Sequence, residues 1–141
     1  MSWIKPKTLS VVINTCNRAD SLDKTIQSLF QQASANLEII AVNGPSIDHT
    51  DKILQKYCET IKIRQCSEFN LSISRNIGIA ASAGDVIAFI DDDAFPEPYW
   101  AQRLLNAYVD EDVGGAGGFV FDQTGVDYQT KYILCDRFGS A

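Results

Sequence analysis

The chain has 141 residues, 45% hydrophobic and 21% charged, with 12 Lys+Arg against 18 Asp+Glu and a net charge of −6. That size and composition fit one ordinary folded domain spanning residues 1–141, neither disordered nor a membrane bundle. The acidic balance excludes a protein that tracks nucleic-acid phosphates with a basic face.

The charge is uneven. Residues 1–70 hold 8 basic and 7 acidic groups, and residues 71–141 hold 4 and 11. An acidic face exposed to solvent and a carboxylate cluster awaiting a cation are both compatible with that count. His49 is the single histidine, which removes multi-histidine zinc sites. It reads as an ordinary exposed residue. Cys16, Cys58, Cys66 and Cys135 show no C-x-x-C spacing and read as mostly buried or inert thiols of a reduced compartment. No apolar run reaches the roughly 20 residues of a membrane span. Met1 to Lys7 lacks the apolar core of a signal peptide. The expectation is a cytoplasmic protein.

Leu9 to Ile13 is a β-branched run suited to a strand buried on both faces. Asp20 offers a helix N-cap, Asp23 favours the first turn, and Leu22, Ile26, Leu29, Phe30 and Ala33 form one helical face. Leu37 to Val42 repeats the strand pattern and breaks at Asn43-Gly44-Pro45-Ser46. Asp48 then caps a second helix carrying Ile53, Leu54 and Tyr57. Ile61 to Arg64 alternates apolar and charged residues, as a strand nearer the sheet edge does. A third helix is predicted over Ser72 to Ala83, with Ile73, Ile77 and Ala80 inward and Gly84 as its stop. Asp85 to Ile90 is the fourth and most hydrophobic strand, and Pro96 and Pro98 open a fourth helix with Trp100, Leu104 and Tyr108 on one face. Gly114 to Gly118 leads into Phe119-Val120-Phe121, either a loose turn into a fifth strand or backbone passing close to a partner. Alternating strands and helices predict an α/β, doubly wound, mostly parallel sheet with helices on both faces.

Ligands of open α/β sheets bind beyond the carboxyl ends of the strands. Three strands end there in polar clusters: Asn14 to Arg18, Asn43 to Ser46, and Asp91-Asp92-Asp93. Three consecutive carboxylates at the end of a buried strand repel one another, and a divalent cation relieves them. Extended alternation would send Asp91 and Asp93 to one side, with Mg²⁺ or Mn²⁺ as the hard cation for such oxygen donors. An acidic lead-in to the helix after Pro96 is the plainer alternative. Arg75 is either an exposed helix charge or a fork of donors for a diphosphate. No P-loop and no G-x-G-x-x-G are present.

Ser10 to Arg18, Val42 to Thr50, Ser74 to Ile79 and Ala83 to Asp93, in that order, resemble the family 2 glycosyltransferases, which have the Rossmann-like GT-A fold. The resemblance covers residues 8 to about 105 and implies metal-assisted transfer of a hexosyl group from a nucleotide-diphosphate sugar, usually with inversion. A UDP-sugar comes first, GDP or dTDP sugars next. It implies Asp93, with Asp91, as ligands of Mn²⁺ or Mg²⁺, and Asp91 and Asp92 near the ribose or metal waters. Thr15, Asn17 and Arg18 would border the nucleotide, Asn43 would meet the base, and Arg75 would lie near base or diphosphate. The acceptor would be a carbohydrate or a lipid-linked sugar, the latter allowing peripheral placement at the inner membrane face.

Two departures stand out. Asn43 and Gly44 occupy positions where many members carry an Asp pair, leaving base identity open, and Cys16 stands where an aromatic is common. The general base is unassigned. Asp122 and Asp127 are the late candidates, and the family's base-bearing segment is expected beyond Ala141, which would make this chain a donor-binding portion. A non-catalytic nucleotide-binding module and a metal-dependent phosphatase or nucleotidyltransferase are the competing readings.

Overall fold

The computed structural model describes residues 6–33, 36–122 and 124–129. The elements alternate as β1 (Thr8–Thr15), α1 (Ala19–Phe30), β2 (Asn36–Asn43), α2 (Thr50–Gln55), β3 (Lys62–Gln65), α3 (Leu71–Ala81), β4 (Val86–Asp91) and α4 (Trp100–Ala107). The four strands form a parallel sheet of order β3-β2-β1-β4. The doubly wound α/β expectation holds. β1 is central and its apolar residues Leu9, Val11, Val12 and Ile13 are fully buried, as a two-sided strand requires.

Strand alternation divides the core. Leu9, Val11, Ile13, Ile39 and Ala41 face α1, α2 and α4, through Leu22, Ile26, Leu29, Leu54, Ala101 and Leu105. Val12, Ile40 and Val42 face α3, through Ile73, Ile77 and Ala81. The chain steps outward from β1 to β2 to β3 and then returns across α3 to β4. That reversal puts α3 on the opposite face from α1 and α2, in line with the handedness rule for parallel crossovers.

α3 lies unusually close to β1. A Cβ built on Gly78 would stand 2.3 Å from Val12 Cγ1, so only glycine lets the helix seat. Gly84 is not the stop of α3, which ends at Ala81 with Ser82 as its cap. Instead its backbone presses on β1, where a Cβ would meet Ser10 N at 2.8 Å. At the same end of the sheet, the Glu38 carboxylate pairs with Lys62 and accepts bonds from Ser10 Oγ at 2.5 Å and Ala83 N at 2.8 Å. Burial raises the Glu38 pKa, but these donors outweigh it and bring it down to about 2.

Several local expectations change. α1 begins at Ala19, and Asp20 makes no capping bond. The Ala19 N–H is met by Asp48 Oδ2 across the loop, while Asp48 Oδ1 accepts from Thr50 N at 2.9 Å, so one carboxylate serves the starts of two helices. Asp23 binds the Tyr57 hydroxyl at 2.7 Å and joins α1 to the end of α2. Phe30 is half exposed and lies against Tyr57. α3 starts one residue early because Asn70 accepts from Ser72 N and Ile73 N. β4 is an edge strand among the described residues rather than a buried one: Ile87 and Phe89 remain partly exposed on the α3 face. Among the described residues no fifth strand joins the sheet. Phe121 and Tyr128 form one isolated antiparallel bridge, and Gly114 to Gly118 run in open space. Cys66 is buried, Cys16 half-buried and Cys58 exposed, all three unpaired. Cys135 and residues 1–5 lie outside the described residues.

Two outcomes follow. Gly78→Ala lowers stability by about 1–3 kcal/mol in urea titration, because Val12 cannot recede from a packed core. The Glu38 carboxylate stabilises the fold above its ordinary pKa of 4.5, and that contribution drains away as pH falls towards 2. Stability of the Glu38→Gln variant is therefore lower at neutral pH and flatter between pH 4.5 and 2 than wild type. Parallel curves would show that Glu38 is not the group responsible.

Candidate functional site

Parallel register fixes which residues meet at the carboxyl edge. Thr15 pairs with Asn43, Asn43 with Gln65, and Asn14 with Asp91. Strand order reverses at β1, between β2 and β4, and this switch point is where an open α/β sheet leaves a crevice. The acidic triplet sits on it.

Asp91 closes β4, but Asp92 and Asp93 do not continue it. Ala94 N donates to Asp91 O at 3.1 Å, so residues 91–94 form a turn and the extended-strand alternation stops at Asp91. Asp91 and Asp93 are exposed, and Asp92 is half-buried. Arg18 Nη1 reaches Asp93 Oδ2 at 3.3 Å, both side chains being more than half exposed, so this pair is worth little by itself. Burial pushes the Asp92 carboxyl above the usual range, and the charges of Asp93 and Asp91 add to it. The Thr15 hydroxyl and Arg18 act the other way. Thr15 is 5% exposed and its buried hydroxyl meets no hydrogen-bond partner within 3.5 Å among the described residues, although it borders Asp92 closely enough to favour its charged form.

A second cluster borders the first. Asn14 Nδ2 donates to Ser74 Oγ at 2.6 Å, linking β1 to α3 on the face that carries Asp91. Arg75 follows on α3 with its guanidinium 5.5 Å from the centre of the Phe89 ring, two residues back from Asp91 on the same face of β4. A cavity of about 190 Å³ opens beside this link, lined by Asn14, Thr15, Cys16 and Gly44 on the strand ends and by Glu68 to Leu71 and Ser74 on the other wall. The Gly44 backbone lies against Cys16, and a Cβ there would come within 3.1 Å of Cys16 Cβ. An aspartate at position 44 would thus crowd this wall.

Asn17 and Asn43 are placed beside the crevice with their amides turned into the protein. Asn17 has a positive φ of 56°, and its Oδ1 accepts from Ile47 N at 2.7 Å. The Ser46 hydroxyl lies between them, accepting from Asn17 N at 3.0 Å and donating to Asn43 Oδ1 at 2.7 Å. Asn43 Nδ2 donates to Asp51. These bonds clasp the loop after β2 onto the loop after β1 and so fix the stem of Arg18. The structure therefore brings Thr15, Arg18, Asp91, Asp92 and Asp93 together, with Arg75 on the flank, and gives Asn17 and Asn43 a bracing place.

Asp122 and Asp127 make no bond to this cluster among the described contacts. Asp122 is half-buried and Asp127 exposed, and Asp122 accepts from Thr124 N and Oγ1 and is held below the usual carboxylate range by those bonds. That is the opposite of what a general base at neutral pH needs. Among the described residues no three His, Cys, Asp or Glu groups form a finished metal cage. The donor chemistry nonetheless suits a hard divalent cation: oxygen ligands, excess negative charge, and Arg18 as the neighbouring counter-charge among the described residues. Mg²⁺-type ions commonly take one or two carboxylates and complete their shell with phosphate and water.

One residue escaped the sequence reading. Thr25 is a polar position inside the apolar stripe Leu22, Ile26, Leu29, and its hydroxyl lies 3.0 Å from the carbonyls of both Asp92 and Ala94. A buried polar side chain on a helix's core face is the signal that could have found it.

Comparison with known proteins places this geometry. Residues 10–137 match the family Glycosyl transferase family 2. The uncharacterized glycosyltransferase YibD of Escherichia coli (strain K12) is 30% identical over 138 residues, 94% of this chain and 40% of that protein. The mannosyltransferase PcManGT from Pyrobaculum calidifontis, solved with GDP-Man and Mn²⁺, superposes with a TM-score of 0.65 at 20% identity, over 81% of this chain and 37% of that one. Glucosyl-3-phosphoglycerate synthase from Mycobacterium tuberculosis, solved with Mn²⁺, UDP and phosphoglyceric acid, gives 0.62 at 21% identity, over 74% and 40%. The chain thus spans about 40% of the length of YibD and of these structures.

The charge balance at Asp92 yields a direct test. Its pKa is raised, so the ionised carboxyl opposes folding above that pKa and the penalty vanishes below the ordinary value of 3.8. In EDTA at pH 7, Asp92→Asn melts at a higher temperature than wild type in differential scanning fluorimetry, and the gain shrinks on acidification. An equal or lower melting temperature at pH 7 would show that no such repulsion exists.

Proposed function

Because the chain belongs to glycosyl transferase family 2, we propose that it binds a nucleotide-diphosphate sugar at the β1–β4 switch point and serves sugar transfer to an acceptor hydroxyl. The observation that carries this reading is the convergence of Thr15, Arg18 and the acidic turn at one edge of the sheet. The cavity lined by Cys16, Gly44 and Leu71 takes the nucleoside, and the acidic turn faces the diphosphate. Two of the structures that resemble this chain were solved with Mn²⁺ and, respectively, GDP-Man and UDP, which supports a nucleoside diphosphate without choosing the base.

The residues then divide the work. Asp93 and Asp91 are the carboxylates that would hold Mn²⁺ or Mg²⁺, and Asp92 would lie near the ribose or the metal waters. A divalent cation bound there would act as a Lewis acid towards the negative charge that develops on the departing diphosphate. Arg18, beside Asp93 and more than half exposed, presents a guanidinium suited to pairing with a phosphate oxygen. Arg75 presents a second guanidinium from the α3 side. Asn17 and Asn43 hold the loops that carry Arg18, and the buried Thr15 hydroxyl is available to a ligand or to Asp92. The acceptor must be deprotonated by a base, which remains unassigned; the hydrogen bonds that hold Asp122 below the usual carboxylate range argue against that residue. The acceptor itself is a carbohydrate or lipid-linked hydroxyl. No helix of the described residues is long and apolar enough to cross a membrane.

Thermal unfolding with UDP, GDP or dTDP, each with and without Mn²⁺, tests this reading. A nucleotide at 100 times its Kd adds about 2.7 kcal/mol of stability. Asp93→Asn removes the part of the gain that needs Mn²⁺. No gain with any of the three nucleotides would contradict the proposal, and an undiminished Mn²⁺ effect in Asp93→Asn would remove that residue as a ligand.

A further inference from the structure

The acidic turn lies just beyond the reach of the sheet. The β1–β4 ladder ends at Asn14 and Asp91, and the turn's own bond is Ala94 N to Asp91 O. Nothing in that ladder fixes the peptides on either side of Asp93, where three carboxylates repel one another. The restraint comes from the opposite face of β4, out of helix α1. Thr25 is fully buried, and its Oγ1 stands 3.0 Å from Asp92 O and 3.0 Å from Ala94 O, the carbonyls flanking Asp93. A threonine in a helix commonly returns its hydroxyl to the carbonyl one turn back. This one reaches across to another element.

The same helix ties down the chain that follows. Gln32 Nε2 donates to Glu97 O at 2.8 Å, Gln32 Oε1 accepts from Ala101 N at 3.1 Å, and Ala33 N donates to Pro98 O at 2.8 Å. α1, with Gln32 and Ala33 just past its end, therefore holds residues 92–101 at several points, and Thr25 is the point nearest the carboxylates.

We infer that Thr25 is a positioning residue for the donor site: its buried hydroxyl holds the carbonyls of the two residues that flank Asp93, so that the carboxylates face the switch-point crevice before any ligand arrives. The inference rests on the reading of that crevice as the nucleotide-sugar site. Thr25 touches neither donor nor cation and acts only through the turn. The hydroxyl matters, and its shape alone does not.

Three variants separate these contributions. Thr25→Val keeps the shape and removes the donor, Thr25→Ser keeps the donor, and Thr25→Ala serves in place of the valine variant should that one fail to fold. The first readout needs no ligand: amide hydrogen exchange of residues 92–95 in EDTA. It is expected to quicken about tenfold in Thr25→Val, in proportion to one lost hydrogen bond, and to stay near wild type in Thr25→Ser. The second readout is titration with Mn²⁺ and whichever of UDP, GDP or dTDP stabilises the wild type. Loss of an outer support of this kind typically weakens binding about 10- to 100-fold, and the serine variant restores it.

Unchanged exchange in Thr25→Val would overturn the inference. So would faster exchange with undiminished binding, which would reduce Thr25 to a structural role. Wild type that binds no nucleotide while Thr25→Val still loosens the turn would overturn the reading of the site and leave the restraint on the turn standing.

Discussion

β1 is hydrogen-bonded along both edges, to β2 on one side and β4 on the other, and the rest of the molecule is arranged around that fact. Being paired twice and covered twice, it is apolar through its middle, carries the buried Ser10 only because Glu38 accepts its hydroxyl, and gathers its other polar groups where it ends. Those ends are Asn14 and Thr15. Asn14 turns to the α3 face and Ser74, and Thr15 to the α1 face and Asp92, so one strand terminus serves both sides of the crevice. Gly78 gives this its geometry. By letting α3 come down onto Val12, it brings Ser74 within hydrogen-bonding distance of Asn14 and sets Arg75 over Phe89.

Charge is managed differently at the two ends of the sheet. At the amino end, Glu38 is met by Lys62, Ser10 and the Ala83 N–H, and is held well below the usual carboxylate range. Its stabilisation is complete, and nothing remains for a ligand to satisfy. At the carboxyl end, Asp92 is pushed the other way by burial and by two neighbouring carboxylates, with one exposed arginine in partial compensation. One acidic group is thus fully satisfied by its neighbours and the other is held against its own charge, a contrast that fits the proposed role of the turn as a site for a ligand. The restraint holding that strained turn comes from α1 through Thr25, while Gln32, just past the helix, holds the chain that follows.

The alternation of elements and the three polar strand ends were legible because β-branched runs and helical stripes are properties of contiguous sequence. The register that brings Asn14, Asp91 and Asn43 to one edge follows from parallel pairing. What the sequence could not carry was the choice of partner. Asn17 and Asn43 read as ligand groups, yet their amides brace two loops, because an amide bonds whichever group the fold brings near. Asp48 caps α1 as well as supporting α2, a contact spanning 29 positions. The triplet read as an extended Asp-x-Asp, but β4 ends at Asp91 and a turn follows. Thr25 carries no motif. It is an odd polar residue in an apolar stripe, and its role exists only in three dimensions.

The most direct test of a cation-dependent donor site at the switch point is paramagnetic relaxation. Amide spectra of the ¹⁵N-labelled chain are recorded as MnCl₂ is added in the presence of UDP, and again with GDP. The account predicts that signals of residues 91–94 broaden first, followed by those of 14–18, with Asp93→Asn abolishing the effect. Broadening centred on another acidic stretch, such as Asp110 to Asp112, or spread evenly over the surface, would contradict it.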